Sequence, residues 1–75
     1  MIHKINGKPE NVIKAIEENI IGFKAYRNKE ILKDHYVYGF TLEYVAEKYD
    51  MSVSQIKKIC YDNERIIISS LRAEK

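Results

Sequence analysis

The chain has 75 residues, 45% hydrophobic and 32% charged, with 13 Lys and Arg against 11 Asp and Glu for a formal net charge of +2. A single small domain follows, and folding such a chain removes only about 60% of its unfolded surface from water. With no apolar run near the roughly 18 residues of a membrane span, one Cys and two distant His, the composition excludes a spanning protein, a disulfide-stapled secreted domain and a metal framework.

Taken in chain order, the hydrophobic spacing predicts an all-α fold, a small bundle of about four helices, with residues 1–8 as a loose N-terminus. The first helix starts at Pro9, whose missing N–H is not needed there. Val12, Ile13, Ile16 and Ile20 recur on one side, and Gly22 is the expected stop. The second is expected over residues 28–38, with Asn28 as N-cap, Glu30 in the first turn, and Ile31, Leu32, His35 and Tyr36 facing inward. Gly39 then ends it.

A third, short helix is expected over residues 42–49 behind Thr41 as N-cap, with Leu42, Val45, Ala46 and Tyr49 on one apolar side. The fourth begins after Ser52. Ser52 and Gln55 stand three apart, as in a capping box, and Val53, Ile56, Ile59, Cys60 and Asn63 continue the helical pattern. Ile66, Ile67 and Ile68 cannot all face one way. The pattern allows a long fourth helix docked on Val12, Ile16 and Ile20 with leftover apolar surface in a homodimer, or a short strand.

The third and fourth helices are separated by only about three residues. Two short amphipathic helices joined so tightly must cross steeply, the geometry of a helix-turn-helix over residues 41–63. Ala46 is small where the helices approach. Asp50 sits where the turn needs left-handed backbone, which Gly favours and Asp or Asn tolerates. Met51 plugs the turn from below, and Ile56 and Ile59 anchor the fourth helix on the third. The outward side then carries Ser52, Val53, Ser54, Gln55, Lys57, Lys58 and Tyr61. In a DNA-binding version this helix enters the major groove with its N-terminal residues at base edges. Ser54 can donate or accept, Val53 can touch a thymine methyl, and Lys57 or Lys58 can reach guanine or phosphate. Tyr61 can bond a phosphate oxygen, and Thr41 would face the flanking backbone.

The stretches Arg27-Asn28-Lys29-Glu30-Ile31, Tyr38-Gly39-Phe40-Thr41-Leu42, Val45-Ala46-Glu47-Lys48-Tyr49 and Met51-Ser52-Val53-Ser54-Gln55-Ile56-Lys57-Lys58-Ile59 carry a resemblance. Over residues 27–65 the chain resembles the C-terminal helix-turn-helix of the Mor transcription activator family, and is similar to the helix-turn-helix of sigma factor region 4. The resemblance implies a bacterial or phage DNA-binding regulator, often dimeric, whose recognition contacts fall on Ser54, Lys57, Lys58 and Tyr61.

The remaining chemistry-bearing residues have plainer readings. Cys60 reads as a small buried hydrophobe. His3 and His35 lack ligand partners. The Glu17-Glu18 and Glu43-Glu47 pairs have no nucleophile beside them, so no catalytic residue, cofactor or small-molecule substrate is expected. The eight aromatics read mostly as core, with Tyr44 and Tyr61 exposed. The expected protein is therefore a non-enzymatic, cytoplasmic, sequence-specific binder of double-stranded DNA, acting as a homodimer without a membrane. The rival reading uses the same fold as a protein–protein interaction module or a phage DNA-packaging adaptor.

Overall fold

The computed structural model describes residues 7–73, and within them every regular element is helical. Most of the loose N-terminus expected over residues 1–8, His3 included, lies outside the described residues. Pro9 opens α1 (Pro9–Asn19), which buries Val12, Ala15 and Ile16. Ile20 follows as a buried cap residue whose N–H donates to the Ile16 carbonyl at 3.1 Å. The helix therefore stops before Gly22, which lies at φ +96° in the connection.

The second helix, α2 (Ala25–Leu32), starts three residues before the expected Asn28. Lys24 takes a left-handed backbone (φ 68°) and the Ala25 N–H closes a turn onto the Gly22 carbonyl, so the chain is already helical when it reaches Asn28. Asn28 is thus inside the helix, where its side-chain oxygen accepts from Arg27 at 3.2 Å. A π-helical segment (Lys33–Val37) continues α2 without a break, and the Tyr38 N–H reaches back five residues to the Lys33 carbonyl at 3.0 Å. Together they form one rod over residues 25–37. Ile31, Leu32 and Tyr36 are buried on it, and Lys29 and Lys33 bridge from it to Glu17 on α1.

The π segment also presents Asp34, the buried charged side chain among the described residues. Asp34 Oδ2 accepts from Lys48 Nζ and from the Tyr49 hydroxyl, both at 2.9 Å. A buried carboxylate is tolerated only when partnered in this way, and the pair of bonds ties the rod to α3 (Leu42–Lys48). On the neighbouring turn the Tyr36 hydroxyl donates to Glu64 at 2.8 Å. Burial, reinforced by that bond, pushes the Tyr36 phenol well above its ordinary range.

Thr41 caps α3 through its side-chain oxygen, which accepts from the Tyr44 N–H at 3.1 Å. The far end closes as a Schellman turn. The Met51 N–H donates to the Ala46 carbonyl at 2.9 Å, the Asp50 N–H to the Glu47 carbonyl at 3.3 Å, and Asp50 lies at φ 55°. Met51 packs under it against the core. The left-handed conformation costs a side-chain-bearing residue about 1–2 kcal/mol, less for Asp than for most. Asp50→Gly is therefore expected to stabilise the chain by up to about 1 kcal/mol after its greater unfolded-state freedom is subtracted. Asp50→Val should shift the urea midpoint in the opposite direction.

The last helix, α4 (Val53–Ala73), is a single uninterrupted rod. Ile56, Cys60 and Ile67 are fully buried on its inner side, with Ile59, Ile68 and Leu71 packed around them, and it contacts α1, α2 and α3. The strand alternative for Ile66, Ile67 and Ile68 is thereby excluded. The expected dimer surface there is also largely consumed: Ile67 is core, Ile68 packs on it, and Ile66 alone of the three is well exposed.

The aromatic side chains depart most from expectation. Tyr36 is buried and Tyr49 half-buried, but Phe23, Tyr26, Tyr38 and Phe40 join Tyr44 and Tyr61 at the surface. The aliphatic residues of four helices suffice to fill so small an interior.

Candidate nucleic-acid interface

The side of α4 away from Ile56, Cys60 and Ile67 brings together four of the sequence-predicted residues, Ser54, Lys57, Lys58 and Tyr61, all exposed. Val53, expected with them, stands seven residues before Cys60 and so on the core side of the helix, and its 37% exposure comes from its place at the helix start. Ser54, Lys57, Lys58 and Tyr61 stand at i, i+3, i+4 and i+7, so they share one side of the helix. Lys58 pairs with Asp62 one turn on, at 3.2 Å. Such an exposed i,i+4 pair is weak, so the ammonium can be drawn off by a stronger anion.

Two further cations extend the stripe. Arg65 and Arg72 fall seven and fourteen residues after Lys58 and are exposed. Eighteen residues separate Ser54 from Arg72, which is about 27 Å at 1.5 Å per residue and five whole turns. The signal for them was the same periodicity that placed Lys57 and Lys58, carried further along a helix whose length the sequence alone left open.

The other three predicted residues act on helix starts. Ser52 and Gln55 form the capping box: the Gln55 N–H donates to Ser52 Oγ at 3.1 Å and the Ser52 N–H to Gln55 Oε1 at 2.9 Å. The Ser52 hydroxyl also lies 3.3 Å from Gln55 Oε1. Both side chains are spent on one another, so they fix where α4 begins instead of offering free groups to a base. Thr41 likewise gives its oxygen to the Tyr44 N–H, and exposed Glu43 stands beside it in the first turn of α3. A carboxylate there repels phosphate, which counts against the anion contact expected of Thr41.

Cys60 lies on the inner side of α4, away from the stripe. Burial, with Glu64 adding to it, pushes its thiol up to about 12, so at neutral pH it is a protonated packing group. His35 is half-buried, with Nδ1 2.8 Å from the Phe40 carbonyl. Among the described residues there is no pocket and no cluster of His, Cys, Asp or Glu that could hold a metal ion. No helix among them is long and apolar enough to cross a membrane. Compared with known proteins, the chain matches no family model, no curated sequence and no solved structure.

Proposed function

We propose that α3, the turn at Asp50 and α4 act as a helix-turn-helix that binds double-stranded DNA, in a regulator of the bacterial or phage transcription type. One observation carries this reading: the outward side of α4, away from its core side, holds Lys58, Arg65 and Arg72 in one exposed stripe with Ser54 at its reading end and Lys57 at its edge. In this reading Ser54 meets base edges and the lysines serve the groove or the phosphates. Tyr61, Arg65 and Arg72 grip phosphate further along. Ser52 and Gln55 set the angle at which the helix starts.

The test is duplex binding by fluorescence anisotropy across a salt series. Each cation on phosphate contributes ~0.9 to the slope of log affinity against log salt, so Lys58→Ala and Arg65→Ala should each flatten that slope by about one. Ser54→Ala should leave the slope alone and change the sequences recovered from a random duplex pool. If all three variants match the parent in slope and selected sequence, the assigned side of α4 is wrong.

A further inference from the structure

The most exposed apolar side chains lie away from α4, in two groups of unlike charge. The first is the connection from α1 to α2, where Ile21, Phe23 and Tyr26 are 83%, 91% and 84% exposed. Lys24 and Arg27 stand among them, with the Lys24 ammonium 5.6 Å from the centre of the Phe23 ring. Of the acids nearest in sequence, Glu17 is taken up by Lys29 and Lys33 and Glu30 by Lys33, leaving Glu18 against the two cations. The left-handed Lys24 and Gly22 turn this connection outward.

The second group follows the π segment. Tyr38, Phe40 and Tyr44 are exposed and touch in series, with ring centres 6.4 Å and 4.7 Å apart. Beside them Glu43 and Glu47 are exposed on α3 and make no ion pair among the described residues. The neighbouring cation, Lys48, is engaged by Asp34.

These groups stand at opposite ends of the rod formed by residues 25–37, separated by something under about 20 Å of helix. A two-fold dimer through either group would set like charge against like. We propose that copies of this chain associate head to tail, the Ile21–Phe23–Tyr26 end of one seating on the Tyr38–Phe40–Tyr44 end of the next, with Lys24 and Arg27 against Glu43 and Glu47. Such a contact is heterologous: repeated, it closes into a ring or runs on as an open chain. At their exposures the three large side chains of the first group offer roughly 400–600 Å² and those of the second roughly 200–350 Å², less than the ~800 Å² per partner of a standard stable interface. The association is consequently weak, favoured by concentration and weakened by salt. It does not depend on the DNA-binding reading, since none of its residues lies on the α4 stripe.

Sedimentation velocity tests it on the intact chain, up to about 1 mM protein at low salt, where a weak interface is populated. The parent's mass should rise with concentration and return to monomer as salt is added. Phe23→Ser and Tyr44→Ser, both at exposed positions, should each remain monomeric with unchanged circular dichroism. The decisive arm is their equimolar mixture. Each variant keeps the end that the other has lost, so the mixture should form a dimer and nothing larger. A parent that stays monomeric throughout overturns the proposal. So does an assembly that Tyr44→Ser leaves intact, or a mixture that stays monomeric, since either points to a two-fold contact. Phe23-dependent binding to anionic vesicles by a parent that never self-associates would assign the first group to a lipid surface instead.

Discussion

Lys57→Glu combined with Lys58→Glu is expected to abolish detectable duplex binding at moderate salt, a loss of at least about a hundredfold at roughly 50 mM. The double reversal changes the local charge by four units on the side of α4 that would lie deepest in the groove, where field strength matters most. The second of the two changes also sets a carboxylate beside Asp62, converting the ion pair that Lys58 makes there into a repulsion that no phosphate can relieve. Both positions are exposed, and surface changes of this kind normally move stability by no more than about 0.5 kcal/mol, with some added cost here for the i,i+4 repulsion. The informative comparison is therefore binding against melting temperature. A variant that melts near the parent yet binds duplex equally well would remove α4 from the interface.

The largest structural effect is expected at Ile56. This side chain is fully buried in the first turn of α4, where that helix meets α3. Ile56→Ala removes its outer carbons from a site that cannot collapse easily, because Val45 and Ala46 approach from α3 with their backbone fixed by the Schellman turn. The cost of such a deletion is about 2–5 kcal/mol, against a total stability of roughly 4–11 kcal/mol for a chain of this size. Each kcal/mol displaces the melting point by about 4–8 °C in a domain this small, so a fall of roughly 10 °C or more is anticipated by circular dichroism. Ser54→Ala, two residues earlier but outward-facing, serves as the matched control and should melt close to the parent. Equal melting of the two variants would mean that α4 is not seated on α3 as described.

Features fixed by local chemistry were legible in the sequence. Pro9 at the start of α1, Thr41 before α3, the Ser52–Gln55 box and the left-handed Asp50 each depend on residues within a few positions, and each is found where the sequence places it. The start of α2 was not legible, because Asn28 is a good cap in isolation while the turn at Gly22 and Lys24 makes the backbone helical earlier. Asp34 was equally hidden: its burial makes sense only with Lys48 and Tyr49, which reach it from fourteen and fifteen residues away. The aromatics show the limit most clearly. Tyr36 and Tyr26 are the same residue type on the same rod, yet one is buried against α4 and the other is 84% exposed. Hydrophobicity cannot separate them, whereas the packing of the whole bundle does. For the candidate interface, Ser54, Lys57, Lys58 and Tyr61 were legible from spacing, while Arg65 and Arg72 awaited the true length of α4.

That length limits how much a target could say to this protein. A straight rod of 21 residues, about 31 Å long, cannot follow the winding floor of a major groove over its whole extent. In the proposed complex only its opening turns lie deep enough to distinguish one base pair from another. Beyond them the arginines ride over the groove wall, where every sequence looks alike. A single copy would therefore hold a short word with a strong grip, and a longer vocabulary would have to come from several copies side by side.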